Sequence, residues 1–579
     1  MKKWLPDSLS KPKTLGAVLS TSIILYTFTH YLLQRLKAKK MLRKAEKKLK
    51  EKLSKPLPPL SLPSPERQAH ILSLKAFELA ECIRTKTLTS EEVLSTYVNR
   101  AYRLGRDLNL SAEEVFVDAF KRLETIGDGL LAGVPISIKD EIMQIGCHSS
   151  GGVIWLSENE DVVDSVLVDS LRAQGGVPFV RGSAMQLMMW FETTSHLYGT
   201  ALNPWDTSRT PGGSSGGDAG LVAASCTPLA IGSDIAGSIR IPAAFCGIYG
   251  FKPSSRRISS LDCVATHPKG ICPLELVVKA SYGPLGKCVE DLALVVKSWW
   301  TPKLWLSDCE VAPLVFNESE YTKVGKMKIG YFDYNSVFEC AGVVKRAVNE
   351  TVVKLEALGH EVIRINTDSI PKAVELFIKA TYAIPGSYML EELQGEDPAW
   401  VYSKSYYQAK FGLSDFLFRT KTFLNGYKRL SEYLKFAVPS SLPQFSQISA
   451  QISQYKTEFN EYWTSLGLDV VVCPIWPLVA PLHNTTVKVA HAFSYSFLWN
   501  LLDYPAGVVP VTIVKQGENK YESTENDSYV KIAQEIMRES VGLPISVQVA
   551  GRTYEDEKVL RAMKIIQDAF QFHLLPVIS

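Results

Sequence analysis

Three stretches of the chain carry residues of the right types for acyl-transfer chemistry. Lys139 ends the apolar run "GVPISIKDEI" (133–142), Ser214 and Ser215 sit inside "RTPGGSSGGDAG" (209–220), and Ser238 lies in "GSDIAGSIRIP" (232–242). A lysine in apolar surroundings is costly to keep charged, so burial lowers its pKa and can turn it into a base. A serine becomes a nucleophile when a base takes its proton. Ser238 follows Ala236 and Gly237, small residues whose unobstructed amides could stabilise an oxyanion forming beside it. Each stretch also has a plainer reading: a strand-end lysine reaching water, a flexible Gly/Ser linker, and a tight turn with a capping serine.

The surrounding sequence bears on the linker reading. A linker should be flanked by polar, unstructured residues, yet "GGSSGG" runs at once into the dense apolar stretch "LVAASCTPLAIGSDIAGSIRIPAAFCGIYGFKP" (221–253). The Gly/Ser segment is therefore expected inside a fold, where glycines allow close approaches that a Cβ would block.

The elements that must position these residues follow from periodicity. "LAGVPISIKD" and "VPFVRG" read as strands around the helix "DSVLVDSLRAQGG", and "MKIGYFD" and "EVIRI" read as strands around the helix "AGVVKRAVNETVVKLEALGH". This order implies an α/β domain with a mainly parallel sheet flanked by helices. Residues 395 to 465 are instead helical and aromatic, and strand character returns in "DVVVCPIWPLV" (469–479). No repeat of 20 to 50 residues points to a solenoid or propeller.

Together the quoted stretches resemble the amidase signature family. The resemblance is carried by a lysine after an apolar strand, a Gly/Ser loop and a serine 24 residues beyond the loop serine, the separation of Ser238 from Ser214. It is extended by "NPWDTSRTPGGSSGG" (203–217), "PAAFCGIYGFKPS" (242–254), "LLDYPAGVVPVTIV" (501–514) and "VGLPISVQVAG" (541–551), from about residue 70 to the C terminus. The membrane-anchored fatty acid amide hydrolase branch looks most similar. The resemblance implies a single amidase domain over residues 68–579 with a central twisted mixed β-sheet. It implies a Ser–Ser–Lys triad with Ser238 as nucleophile, Ser214 as bridging serine in a cis peptide and Lys139 as ultimate base. The amides of Ile235, Ala236, Gly237 and Ser238 would form the oxyanion hole, with Ser215 in support. Asp234 and Arg240 are expected to be a structural pair bracing the nucleophile turn. No metal or other cofactor is implied. One departure stands out: Ala236 occupies a position where the family usually has glycine, so activity falls if that site needs positive φ.

The substrate side carries less information. "MMWFE" (188–192) falls where relatives line the acyl channel, making Met188, Met189 and Phe191 candidates, with core packing as the equal alternative. The implied substrate is a long-chain fatty acyl amide. Small or peptide amides, and a catalytically silent membrane scaffold, are the alternatives.

Charge places the chain. Of 579 residues with net charge +3, the block 35–55 holds eleven Lys or Arg and two Glu, so the remainder is acidic by six. This pattern favours a membrane surface over nucleic acid. The preceding segment "TLGAVLSTSIILYTFTHYLL" (14–33) has no charged residue and about the length of a bilayer span. We expect a transmembrane helix over residues 14–34, with the basic flank and catalytic domain on the cytoplasmic side of an endomembrane such as the endoplasmic reticulum. Leu42, Ala45, Leu49 and Leu53 recur at helical spacing, consistent with an amphipathic helix on the membrane or a solvated charged helix. Five prolines in "KPLPPLSLPSPE" complete a basic segment and Pro-rich linker spanning 35–67. The aromatic and basic insertion at 395–440 suits membrane binding, a homodimer interface or an ordinary helical cap. Ten cysteines without CxxC spacing indicate a reducing compartment. The histidines form no metal motif, and "GPLGKC" (283–288) lacks P-loop spacing.

Overall fold

The computed structural model describes residues 12–263, 273–383, 392–399 and 415–576, with side chains of the first helix described mainly from residue 35 onward. The strands are β1 (Ser111–Glu114), β2 (Pro135–Lys139), β3 (Val177–Gly182), β4 (Thr194–Ser195), β5 (Gly199–Thr200), β6 (Leu229–Asp234), β7 (Tyr249–Lys252), β8 (Ser281–Gly286), β9 (Lys328–Tyr331), β10 (Glu361–Arg364), β11 (Val470–Pro474), β12 (Ala506–Ile513) and β13 (Pro544–Ala550). Eleven of them form one sheet in the order β1-β3-β2-β6-β8-β7-β12-β13-β11-β9-β10, while β4 and β5 pair separately. Every residue of β2, β3, β6, β8, β11 and β13 is buried, which is why these runs read as continuously apolar or small rather than alternating.

The sheet is mixed, as the family resemblance implies, and this corrects the mainly parallel sheet expected from element order. Among the described residues, only β2–β3, β2–β6, β9–β10 and β9–β11 pair in parallel. The crossover helices Val166–Ala173 and Gly342–Ala357 connect β2 to β3 and β9 to β10, as expected from the sequence. The centre from β6 through β8, β7, β12 and β13 to β11 is antiparallel at every pairing, because strands remote in sequence insert there. Pairing of Ile138 with Ile231 sets β2 and β6 in parallel, so both run out at the same edge of the sheet, ending at Lys139 and Asp234. The carboxyl ends of parallel strands are where open α/β sheets leave room for a site.

The N-terminal region departs from expectation. Residues Pro12–Ser54 form one continuous helix. Most side chains of the expected span at 14–34 lie outside the described residues, and among the described residues no helix is long and apolar enough to cross a membrane. Serine, threonine and histidine dilute this stretch, so its polar content works against partition into hydrocarbon. The basic half packs on the body through a face that shares Ala45 with the expected one but is otherwise rotated from it. Ala38, Met41 and Ala45 are buried, and Met41 and Ala45 pack with Ile154 and Leu197, whereas Leu42 and Leu53 are exposed. Lys44 pairs with Glu158 at 2.5 Å, Lys48 and Lys52 donate to the carbonyls of Ser157 and Ser111, and Arg106 donates back to the carbonyl of Lys52 at 3.1 Å. The prolines that follow bring Leu57 and Leu60 against a satellite core built on Tyr97, Leu110 and Phe179.

Of the expected insertion, residues 400–414 lie outside the described residues. The remainder contains the helices Asp415–Leu424 and Lys428–Leu434, and Phe423 and Leu424, which end the first of them, are exposed. The nine described cysteines are free thiols.

Candidate active site

Lys139 closes β2 with its side chain fully buried. Its Nζ lies 2.9 Å from Ser214 Oγ, 2.7 Å from Ser233 Oγ and 3.0 Å from Glu141 Oε1. Ser214 follows the cis Gly213–Ser214 peptide, and the segment around it is wrapped rather than flexible. A Cβ on Gly213 would lie 2.3 Å from the carbonyl oxygen of Glu192. Thr193 locks the loop from outside by donating to the Gly212 carbonyl at 2.9 Å and accepting from the Gly216 amide at 3.1 Å. The next residue, Ser215, donates its amide to the Ser238 carbonyl at 3.2 Å, and its hydroxyl donates to the Ser233 carbonyl at 3.3 Å. The Gly/Ser segment therefore bridges Lys139 to the Ser238 turn, which excludes the linker reading.

Ser238 sits in the turn between β6 and the helix Arg240–Phe245. The turn is held from one side by Asp234, whose carboxylate accepts from the Gly237 amide at 2.7 Å, the Ile239 amide at 3.2 Å and the Arg240 guanidinium at 2.9 Å through both oxygens. Arg240, fully buried, also donates to the Ser496 carbonyl at 2.9 Å, to Gln548 at 2.6 Å and to Asn500 at 2.6 Å. Asn500 returns a bond to Asp234 at 2.9 Å, and Ser496 Oγ donates to the Ala236 carbonyl at 2.5 Å. Desolvation alone would raise the Asp234 pKa, but the Arg240 charge and these donors hold it well below the usual carboxylate range. The pair thus joins both ends of the turn from Gly237 to Arg240.

The positive φ of the turn falls on Gly237, at 123°, and Ala236 is not among the positive-φ residues. The Ala236 departure therefore carries no backbone strain, while a Cβ on Gly237 would lie 2.7 Å from side-chain atoms of Ile241 and Ser496. The Gly237 amide, expected in the oxyanion hole, is taken by Asp234 at 2.7 Å.

The apolar candidates separate. Phe191 joins an aromatic run in which ring centroids lie 5.9 Å from Phe191 to Phe493, 5.1 Å from Phe493 to Phe497 and 4.8 Å from Phe497 to Phe377. The Phe493 carbonyl accepts from Ser496 Oγ, so this run abuts the nucleophile turn. Met189 packs against Met185 and Ala399, and Met188 is buried against Gly151.

Several charged groups surround the lysine. Asp218, on the helix Gly216–Ala223, accepts from Ser137 at 2.8 Å, and burial pushes its carboxyl up to about 7. Asp140 is raised by burial to about 6 while accepting from Ser150 at 2.5 Å. Arg181 on β3 donates to Ser149 at 2.9 Å, and neighbouring acidic groups hold its guanidinium firmly charged despite burial.

Sequence reasoning missed Glu141 and Ser233, although both stand in stretches it had singled out. It also missed Ser496, Asn500 and Gln548, which reach the site from 256 or more residues beyond Arg240; Gln548 stands in the quoted stretch 541–551, whereas Ser496 and Asn500 carry no local signal. No group of three or more His, Cys, Asp or Glu among the described residues could hold a metal ion.

Residues 92–560 match the family model described as Amidase. The chain is 32% identical over 86% of its length to the fatty-acid amide hydrolase 1 of Sus scrofa, covering 86% of that protein. It is 30% identical over 86% of its length to an acetamidase of Emericella nidulans, covering 89% of that protein. Among solved structures, a fatty acid amide hydrolase superposes with a TM-score of 0.76 at 23% identity, over 92% of this chain and 95% of that one, which speaks to the fold.

Proposed function

This chain belongs to the amidase family and hydrolyses amide C–N bonds, and from that premise we propose that it cleaves long-chain fatty acyl amides through a Ser238–Ser214–Lys139 relay at a membrane surface. The observation that carries the relay is the buried Lys139 Nζ at 2.9 Å from Ser214 Oγ, on a loop whose next amide binds the Ser238 backbone. Neutral Lys139 draws the Ser238 proton through Ser214, and Ser238 Oγ attacks the amide carbonyl. Backbone amides of the turn receive the oxyanion. The proton returns through Ser214 to the leaving nitrogen, and water hydrolyses the acyl-enzyme by the same path.

The acyl preference rests on the relative named for fatty-acid amides and on the aromatic run of Phe191, Phe493, Phe497 and Phe377 beside the nucleophile turn. Membrane contact is supported by the uncharged segment 14–33, the +9 block behind it, and the exposed Phe423 and Leu424 near Lys421 and Lys428. The acetamidase likeness favours a second reading, hydrolysis of short-chain amides.

The experiment is release of oleic acid from oleamide, beside acetate from acetamide, by detergent-purified protein and its Ser238→Ala variant. Oleamide turnover that vanishes with Ser238 is expected. Turnover of acetamide alone would replace the lipid reading with the short-chain one. Failure of a fluorophosphonate to label Ser238 would overturn both.

A further inference from the structure

Among the described residues, Glu141 is the buried carboxylate in direct contact with Lys139, and the relay above does not use it. Lys139 Nζ has three polar partners, Ser214 Oγ at 2.9 Å, Ser233 Oγ at 2.7 Å and Glu141 Oε1 at 3.0 Å. An ammonium has three N–H donors, so with these partners Lys139 is fully satisfied as a cation and has no lone pair to offer Ser214. Its service as a base requires one proton to leave Nζ. Ser214 lies on the path to the nucleophile, and the Ser233 hydroxyl is itself a donor to Glu141. The carboxylate is the remaining acceptor.

We propose that Glu141 is a positioning residue for the base, holding the proton that Lys139 must release, so that the pair shares one proton across the Nζ–Oε1 contact. This role rests on the proposed relay. The transfer moves one proton from Nζ to Oε1 and converts a buried ion pair into a neutral amine and a neutral acid. The net charge of the pair stays at zero, and the interior disfavours separated charges more than neutral ones. Ser238 then passes its proton through Ser214 to the free amine, and the positive charge that returns to Lys139 is matched by the oxyanion on the substrate. Ser233 orients the pair by accepting from Nζ and donating to Oε1.

The charged and titratable groups around the pair come from every neighbouring element. Asp218 faces it from the helix Gly216–Ala223, Arg181 lies beneath it on β3, and Tyr282 on β8 and Cys263 face the carboxylate. Burial raises Tyr282 and Cys263 far above neutrality, so neither ionises in the working range. Burial raises the Asp218 carboxyl to about 7 with Glu141 adding to the rise, so the two profiles are compared in an Asp218→Asn background.

The test is the pH dependence of Ser238 labelling by a fluorophosphonate, in the full-length chain and its Glu141→Gln variant. In the parent, base function is lost only when the pair takes up a second proton. In Glu141→Gln the proton that Lys139 must release has no carboxylate to receive it, so the acid limb moves to higher pH and labelling at pH 7 falls roughly tenfold or more. An unmoved limb would leave Glu141 a packing residue, and a limb moved to lower pH would mean that its charge merely opposes the base. Either result overturns the proposal. If the Gln variant does not fold, Glu141→Asp keeps a carboxyl one methylene farther from Nζ, and its limb must move in the same direction; a parental profile there overturns the proposal too. Labelling needs no amide substrate. A parent that fails to label at every pH defeats the relay itself, whereas labelling with an unmoved profile defeats only the role of Glu141.

Discussion

Replacing Arg240 with Met should unseat the nucleophile turn without touching the reacting atoms. The guanidinium is fully buried and spans Asp234, Ser496, Asn500 and Gln548. Removing one member of a buried ion pair typically costs about 3–5 kcal/mol, because the other charge is left unpaired. Asp234 would keep the amides of Gly237 and Ile239 and the Asn500 side chain, so we place the loss near the low end, about 3 kcal/mol. Asp234→Asn should cost a similar amount. The double variant contains no orphaned charge, and its loss should fall short of the sum by about 1.5–3 kcal/mol. Urea unfolding midpoints of the four proteins measure the cycle, and fluorophosphonate labelling shows whether the turn still presents Ser238. The pair also fixes the sign of a pH effect. The folded Asp234 pKa is depressed, so its contribution is present above the ordinary Asp range and is lost as pH falls below it. Arg240→Met should flatten that acid slope. Additivity within about 0.5 kcal/mol, or a single variant losing under 1 kcal/mol, would refute the argument that Arg240 and Asp234 brace the turn as one unit.

Further outcomes can be checked with the same protein. Lys139→Ala and Ser214→Ala should each slow fluorophosphonate labelling about 10²–10⁴-fold, since each removes a proton carrier, and Ser214→Ala should leave the urea midpoint near the parent's whereas Lys139→Ala lowers it by leaving Glu141 unpaired. Asp218 has a folded pKa raised to about 7, so the fold binds more protons than the unfolded chain between the ordinary Asp value and 7, and stability falls as pH rises through that window. Asp218→Asn should remove this fall in urea titrations at stepped pH. His491, buried between Phe338 and Tyr529, is lowered to about 3, so stability is lost as pH drops below the ordinary His value, and His491→Phe should blunt that loss. Deleting residues 1–34 should leave limited proteolysis of the body unchanged. Deleting residues 1–55 should speed it, because Met41 and Ala45 no longer cover Ile154 and Leu197.

What the sequence determined by itself was the candidate reacting set and the strands that carry it. Lys139, Ser214 and Ser238 were legible because relay chemistry restricts residue type and the family resemblance restricts spacing. The strands β2 and β3 were legible because burial on both faces demands unbroken apolar runs. Only the tertiary structure decided what each of these residues meets. Helical spacing marked Leu42, Ala45, Leu49 and Leu53 as a face, yet packing chose Ala38, Met41 and Ala45, because a helix offers several stripes and the partner surface selects one. The parallel sheet inferred from element order became mixed where remote strands inserted at its centre. Glu141 stood in plain view two residues from Lys139, but its contact with Nζ follows from the turn that ends β2, where the Ile142 amide bonds the Lys139 carbonyl at 3.0 Å. Desolvation and charge pairing depend on every neighbour in space, and those neighbours, Asn500 and Gln548 among them, are set by the fold rather than by adjacency along the chain.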